Sequence, residues 1–269
     1  MSGATDQPAS PFDLMAPGYD DRFTRSLIGR LMRQAVWRHL DTAFAPGDRV
    51  LELSCGTGED AVYLGRRGVR VIATDVSEGM LAVARAKVAA SGLGASVHVA
   101  RLDLHELAQP EALELFTGAP FDGALANFGG LNCVADQRGL AAGLARLLRP
   151  GAPALLCVMG PLVPWEWGWY LGRGEPRKAL RRLRSGGVRW RDLTITYPSI
   201  GALRRAYGPW FTPVRVSAIG ALLPPSYVEE WARGRPGLTW ALHRFERLME
   251  GVPPLPWLAD HYLVELRRR

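Results

Sequence analysis

The stretch that decides the fold is Val50-Leu-Glu-Leu-Ser-Cys-Gly-Thr-Gly-Glu-Asp-Ala61. It leads from an apolar run through a glycine-containing turn into a segment of helical character. Gly56, Gly58 and Ala61 give it a GxGxxA pattern. Glycine allows a sharp reversal after a strand and lets the backbone approach a bound nucleotide or amino-acid group, which a Cβ atom would block. The stretch therefore predicts a buried strand, a turn suited to ligand binding and a helix.

Short apolar runs alternate with helical patterns on both sides of this stretch, which is typical of a parallel sheet covered by helices on both faces. The predicted strands are residues 49–53, 69–74, 96–100, 121–127, 153–159, 193–196, 214–220 and 261–266. The predicted helices cover residues 60–67, 78–91, 138–148, 199–207, 227–233 and 238–250, with one or two more within residues 20–44.

Polar residues mark the ends of four consecutive predicted strands. They are Glu52, Asp75, Asp103 and Asn127. Asp75 follows Gly56 by 19 residues, a position from which a carboxylate can accept both ribose hydroxyls of an adenosine. Open α/β sheets bind ligands at the carboxyl ends of their strands, so these residues predict a nucleotide site. A glycine turn alone would fit an ordinary connection between a strand and a helix equally well.

In this order the segments resemble the class I methyltransferases that use S-adenosylmethionine, over residues 12–159. VLELSCGTG is similar to their glycine-rich first motif, VIATDVSEGML to the second, ARLDLHEL to the third, FDGALANFGGLNCV to the fourth and LLRPGAPALLCVMG to the fifth strand. The upstream segment FDLMAPGYD resembles the quinone-methylase-like branch. The resemblance implies an α/β fold: a Rossmann-like, mostly parallel seven-stranded sheet with helices on both faces and a helical, Trp-rich C-terminal cap.

The resemblance also implies the cofactor, S-adenosylmethionine, with S-adenosylhomocysteine as product. According to the resemblance, Asp75 would bind the ribose and Asp103 would bind the adenine amino group. Met80 would flank the adenine, and Tyr19 would close over the cofactor. The implied cofactor-binding residues are Tyr19, Glu52, Ser54, Gly56, Gly58, Asp75, Val76, Met80, Asp103, Leu104, Asn127 and Phe128. Two departures stand out: Ser54 replaces a glycine common in the family, and Asn127-Phe-Gly-Gly replaces the NPPY-type tetrapeptide of enzymes that methylate exocyclic amines in nucleic acid.

Eight of the nine tryptophans follow residue 164, which predicts an aromatic cover over a flat or hydrophobic acceptor. The predicted acceptor-binding residues are Trp165, Trp167, Trp169, Tyr170 and Tyr227. The predicted general bases or orienting groups, which are the candidate catalytic residues, are Glu166, Tyr197 and His261. The competing interpretation is that the rings only attach the extra helices to the sheet. We divide the chain into an N-terminal helical cap (1–45), a cofactor-binding core (46–160) and a C-terminal part with the substrate cap and last strands (161–269).

The resemblance predicts an S-adenosylmethionine-dependent methyltransferase acting on a small hydrophobic or aromatic acceptor, with O-methylation favoured. Methyl transfer is an in-line displacement, which requires positioning and in some cases a general base. The alternative within the class is C- or N-methylation of a quinone, lipid or natural product. Two alternatives outside the class remain open: an NAD(P)-dependent oxidoreductase, and a noncatalytic module that only holds the cofactor.

Composition limits the remaining possibilities. With 48% hydrophobic and 22% charged residues among 269, the chain is neither disordered nor fibrous. Residues 1–172 hold 15 basic and 18 acidic residues, and residues 173–269 hold 18 and 8, so the net charge of +7 resides in the C-terminal part. This basic part is either a solvated surface or a footprint for an anionic partner. Three cysteines without a CxxC pair and a polar N-terminus predict a cytoplasmic protein without a metal site. The longest apolar run, residues 152–165, is too short and too rich in proline for stable membrane insertion. We expect a monomer or homodimer acting on a small molecule, with nucleic acid as the less favoured partner.

Overall fold

A computed structural model describes residues 10–107, 109, 116, 118 and 120–269. The first nine residues of the predicted N-terminal cap lie outside this part of the chain. The strands are β1 (Arg49–Leu53), β2 (Arg70–Asp75), β3 (Val97–Arg101), β4 (Gly123–Ala126), β5 (Pro153–Met159), β6 (Val188–Trp190), β7 (Leu193–Ile195), β8 (Phe211–Ile219) and β9 (His261–Arg268). The helices are α1 (Leu27–Ala43), α2 (Glu59–Arg66), α3 (Glu78–Ala90), α4 (Gln137–Leu147), α5 (Pro164–Leu171), α6 (Pro176–Ala179), α7 (Ile200–Tyr207), α8 (Glu229–Arg233) and α9 (Pro236–Met249).

Seven of the strands form one twisted sheet in the order β3-β2-β1-β4-β5-β9-β8. Pairing is parallel from β3 to β5, and β9 runs antiparallel between β5 and β8. From β1 the strands proceed first to one side of the sheet, through β2 and β3, and then to the other, through β4 and β5. The strand order therefore reverses between β1 and β4, and the carboxyl ends of these two strands border a crevice. The predicted α/β fold is confirmed.

The two faces of the sheet bury two separate apolar clusters. In β5, Ala154 and Leu156 pack on the side of α4 and α7, whereas Leu155 and Cys157 pack on the side of α1, α2 and α3. This alternation is the two-residue period of a strand covered on both faces. Both clusters reach the β9 end of the sheet, so the last strands are part of the same core.

Most predicted elements are confirmed to within two residues, and β5 has the predicted bounds. Ser77 and Ser199 cap α3 and α7 by accepting hydrogen bonds from backbone N–H groups in the first turn. The largest differences concern β4, which is shorter than predicted, and β8, which begins three residues earlier. The predicted strand at residues 193–196 pairs with β6 in a separate two-stranded hairpin.

The hairpin is fixed to the main sheet by one buried amide. Asn132 donates from Nδ2 to the backbone oxygens of Met159 and Thr196, and its Oδ1 accepts from Met159 N. Thr196 N donates to the backbone oxygen of Asn132 at 2.8 Å. These bonds join the end of β5 to the end of β7, so the hairpin stands at the carboxyl edge of the sheet.

Replacing Gly58 by alanine should destabilise the protein more than the same change at Gly92. Both residues have positive φ, +74° and +67°, so either alanine costs about 1–2 kcal/mol of backbone strain. A Cβ on Gly58 would additionally lie 2.9 Å from the Cβ of Ala84, whereas nothing lies within 4 Å of one on Gly92. Overpacking should add roughly 1–3 kcal/mol to the loss at Gly58, measured by urea unfolding. Equal losses would contradict close packing of α2 against α3.

Candidate active site

A cavity of about 1030 Å³ opens at the carboxyl edge of the sheet. Its wall includes ten of the twelve residues predicted to bind a cofactor: Tyr19, Ser54, Gly56, Asp75, Val76, Met80, Asp103, Leu104, Asn127 and Phe128. These residues come from the ends of β1, β2, β3 and β4 and from the N-terminal segment. A cavity of this size can hold a nucleotide-sized ligand together with a small second molecule.

The turn after β1 has a strained backbone. Ser54 adopts a left-handed conformation with φ 55°, and Gly56 follows with φ 54°. Only glycine adopts this conformation without strain, so Ser54 is held there by its surroundings. A Cβ on Gly130 would lie 2.3 Å from the Cβ of Ser54. Glycine at position 130 therefore makes room for the serine that replaces the family's glycine.

Asp75 connects this turn to the end of β2. Its Oδ2 accepts from Gly56 N and its Oδ1 from Ser77 N, both at 2.9 Å. Burial raises the pKa of Asp75, and the backbone N–H groups that bind it oppose the rise. A carboxylate has about four lone-pair positions, so its cavity-facing side can still accept from a ligand.

A buried polar network lies behind the turn. Asp60, in the first turn of α2, accepts from Arg33 at 2.7 Å, from Trp37 at 2.6 Å and from Asn127 Nδ2 at 2.9 Å. The other amide atom, Asn127 Oδ1, is buried without a hydrogen-bond partner among the described residues. A buried acceptor without a donor is costly, and Asn127 itself is part of the cavity wall.

Phe128 forms the neighbouring part of the wall. Its backbone is also left-handed, with φ 49°. The Arg33 guanidinium lies 5.0 Å from its ring centre, and the His261 ring meets it edge-on at 5.4 Å. The same arginine thus orients both Asp60 and the aromatic wall.

The N-terminal segment and the β6–β7 hairpin meet over the cavity. The rings of Phe12 and Trp190 lie 5.4 Å apart, and Arg191 donates to the backbone oxygen of Pro11 at 2.9 Å. Asp13 accepts from the Ser77 hydroxyl and from Gly79 N. These contacts hold the two segments together as a cover over part of the cavity.

Two predicted cofactor residues do not line the cavity. Gly58 packs against Ala84, which explains the glycine through helix packing rather than ligand contact. Glu52 is 1% exposed inside β1. Burial and the nearby Asp60 raise its pKa well above the ordinary value, partly opposed by Arg33. Glu52 thus belongs to the polar layer beneath the turn.

The three predicted catalytic residues lie outside the cavity wall. Glu166 is enclosed in ion pairs with Arg181 and Arg182, which leaves its carboxylate no access to an acceptor. The Arg182 guanidinium lies over the Tyr197 ring at 5.2 Å. His261 hydrogen-bonds Asp260 at 3.1 Å and touches the cavity only through Phe128. The structure thus assigns these groups to a buried ionic cluster that attaches the cap to β9.

The predicted aromatic cover also lies elsewhere. Trp165 donates to the backbone oxygen of Leu222 and packs on Trp231. The remaining predicted rings, Trp167, Trp169, Tyr170 and Tyr227, are absent from the cavity wall as well: Arg173 stacks on Trp169, and the two tyrosines pack together. Trp190, to which no role was assigned from the sequence, lines the cavity instead. The predicted rings are thus occupied by contacts with other parts of the C-terminal region.

Sequence reasoning also missed Arg33, Asp60 and Asn132. The first two are separated by 27 residues, and nothing in their spacing indicates an ion pair. One signal was present for Asp60: it follows the GxG pattern at the start of a helix, where an acidic residue faces the glycine turn.

Removing the Asp60 charge should destabilise the fold strongly. Asp60→Asn leaves the Arg33 guanidinium buried without its carboxylate, and we expect a loss of about 3–5 kcal/mol in urea unfolding. The double variant Arg33→Met/Asp60→Asn removes both charges and should recover part of that loss. Additive losses in the double variant would show that the two side chains are not coupled.

Known proteins resemble this chain in part of its sequence and in its fold. Residues 50–151 match the family model described as a methyltransferase domain. A demethylmenaquinone methyltransferase of Clavibacter sepedonicus is 33% identical over 168 residues, which are 61% of this chain and 63% of the relative. One from Mycobacterium tuberculosis is 28% identical over 237 residues, which are 75% and 92% of the two chains. The chain thus spans less than two thirds of the first relative's length.

Solved structures agree on the fold. An S-adenosylmethionine-dependent methyltransferase from Mesorhizobium loti aligns with a TM-score of 0.57 and 23% identity, covering 87% of this chain and 98% of that one. The [4+2]-cyclase SpnF aligns with a TM-score of 0.61 and 17% identity, covering 96% and 94%. Residues 50–151 are thus a methyltransferase domain, within a chain that has the fold of the class I S-adenosylmethionine-dependent methyltransferases.

Proposed function

We propose that the protein is an S-adenosylmethionine-dependent methyltransferase of a small, flat, hydrophobic acceptor. The observation that carries the proposal is the cavity at the carboxyl edge, whose wall includes the carboxylates Asp75 and Asp103 and the amide of Asn127. Carboxylate and amide oxygens accept hydrogen bonds, and a diol, an exocyclic amine and an ammonium group are suitable donors. S-adenosylmethionine carries all three.

The residues of the cavity can be divided by the part of the cofactor they would hold. Asp75 would accept from the ribose hydroxyls, Asp103 from the adenine amino group, and Asn127 from the ammonium group. Met80 would pack on the adenine, and the turn at Gly56 leaves room for the amino-acid part. When bound, the cofactor supplies a methyl group on a positively charged sulfur.

The contribution of this chain to the reaction is positioning and exclusion of water. An in-line displacement needs the acceptor atom about 3 Å from the methyl carbon along the carbon–sulfur axis. The contact between Phe12 and Trp190 and the hydrogen bond from Arg191 hold the cover over the cavity. Excluding water strengthens every electrostatic contact inside and prevents hydrolysis.

The part of the cavity under the hairpin favours a flat apolar acceptor. It is lined by the apolar residues Met15, Cys133, Val134, Met159, Trp190, Leu193 and Ile195. With Glu166, Tyr197 and His261 outside the wall, an acceptor whose hydroxyl ionises readily fits best, such as a phenol or a reduced quinone. O-methylation of such a hydroxyl is our first choice, and the names of the demethylmenaquinone methyltransferases support a quinone-like acceptor. Methylation of a ring carbon is the alternative.

A second candidate function follows from the similarity to SpnF. A [4+2]-cyclase has this fold, so the fold can serve a reaction other than methyl transfer. Transfer of a labelled methyl group from S-adenosylmethionine to an acceptor separates the two candidates, because a cyclase would transfer no methyl group.

Cofactor binding should raise the melting temperature of the protein. We expect S-adenosylmethionine and S-adenosylhomocysteine, at a hundredfold excess over Kd, to raise Tm by about 5 °C or more. Asp75→Ala should abolish the shift, while Asp136→Ala, which removes a carboxylate that caps α4, should keep it. A shift with NADH or NADPH alone would instead indicate an oxidoreductase.

Trp190→Ala should weaken acceptor binding and leave the cofactor site intact. Removing a ring from the cavity wall should raise the acceptor KM about tenfold or more, with the Kd for S-adenosylhomocysteine unchanged. Trp167→Ala is the matched control, since Trp167 does not line the cavity. Steady-state kinetics with an acceptor that the unchanged protein methylates measure both variants. A larger rise in the acceptor KM at Trp167 would refute the location of the acceptor site.

A further inference from the structure

We propose that helix α9 docks the protein on an anionic lipid surface. The outward face of this helix is apolar: Leu238 is 48% exposed, Phe245 54% and Leu248 79%. With the exposed Ala241 these residues follow the i, i+3, i+7, i+10 spacing of a single helical stripe. Surface helices normally turn such a stripe toward the core.

The inward face of α9 holds the helix without the stripe, through polar contacts and through Leu242, which packs against the core. Thr239 donates to the backbone oxygen of Ala232, and Glu246 accepts from Gly220 N at 2.8 Å and Leu222 N at 2.7 Å. His243 is also buried on this side. The fully buried positions of the helix are thus polar, and the fold leaves the apolar stripe for a partner.

The exposed apolar surface extends beyond the helix stripe. Trp240 is 44% exposed on the adjoining side of α9, and Val252 (48%) and Trp257 (40%) follow the helix in sequence. Tryptophan, phenylalanine and leucine on one face are the composition of helices that lie in the interface of a bilayer. A surface of this composition favours lipid.

The charge beside the stripe identifies the kind of lipid. Arg233, Arg235, Arg244 and Arg247 are exposed around it. Arg244 and Arg247 form no salt bridge with any residue that the structure describes. The acids nearby are few in number: Glu230 is exposed, Glu246 binds backbone N–H groups, and Glu250 pairs with Arg38 at 2.7 Å.

A groove of about 500 Å³ lies between α9 and α1. Arg38, Arg244 and Arg247 line it beside the stacked rings of Trp37 and Tyr63. Its one carboxylate among the described residues, Asp41, pairs with Arg67 at 3.0 Å, so the charges of Arg244 and Arg247 remain. Burial and the charges of Arg38 and Arg247, opposed by Glu250, lower the pKa of His243 to about 4. The groove therefore suits a phosphate headgroup, and each basic residue at a membrane surface adds to the attraction.

A membrane surface fits these observations better than a second copy of the chain. In a two-fold dimer through α9 the arginines of one copy would face those of the other, and like charges oppose association. Among the described residues no helix is long and apolar enough to span a bilayer. The proposal is accordingly for peripheral binding, and it does not depend on the methyltransferase activity.

Sedimentation with vesicles tests the apolar stripe. We expect the full-length protein to bind phosphatidylglycerol vesicles and not phosphatidylcholine vesicles, with affinity falling as salt rises. Phe245→Glu/Leu248→Glu should lower the affinity by at least about tenfold. Ala82→Glu/Ala89→Glu adds the same charge on exposed positions of α3 and should have a much smaller effect.

Charge reversal tests the arginines separately. Arg244→Glu/Arg247→Glu should lower vesicle affinity by about tenfold or more, whereas Arg146→Glu, exposed on α4 across the sheet, should leave it nearly unchanged. Denaturant unfolding of each variant shows that it is folded. Absence of vesicle binding by the unchanged protein, equal loss in the controls, or a dimer in sedimentation velocity that Phe245→Glu/Leu248→Glu dissociates would each overturn the proposal.

Discussion

The ion pair between Arg33 and Asp60 is the constraint on which the candidate site depends. It joins α1, outside the sheet, to the first turn of α2, directly after the glycine turn. Asp60 also fixes the amide of Asn127, and Arg33 also contacts the ring of Phe128. One buried pair therefore connects the turn after β1 to the two residues that follow β4. Because a buried charge needs its partner, the geometry of the cavity and the stability of the fold are coupled.

Strain in the cavity wall is consistent with this coupling. Ser54 and Phe128 follow β1 and β4, and both adopt left-handed backbone conformations that a side chain normally avoids. Such residues persist only where their surroundings over-determine them. Gly130 makes room for Ser54, and Arg33 holds Phe128 from one side. The wall is thus shaped before any ligand arrives, which favours binding because less ordering remains to be done.

Sequence reasoning predicted the sheet and ten of the residues that line the cavity for a physical reason. Buried parallel strands are continuous apolar runs, and their carboxyl ends meet at one edge, so Asp75 and Asn127 could be placed from local pattern. The residues contributed by the C-terminal part could not be placed this way. Whether Glu166 faces a cavity or an arginine, and whether Trp167 or Trp190 covers the site, depends on contacts between segments far apart in sequence. Residue type alone does not contain that information.

The C-terminal part shows why its charge could not be interpreted from composition. Arg182 is buried in a cluster with Glu166 and Asp260. Burial alone would lower the pKa of Arg182, but the two carboxylates raise it above its ordinary value. Arg191 closes the cover, and Arg244 lies outside beside an apolar stripe. The first two arginines are committed to structure or to the site. The net positive charge of the C-terminal part therefore indicates an anionic partner only to the extent that its arginines are exposed and unpaired. On α9 the exposed arginines lie beside an apolar face that the core does not use.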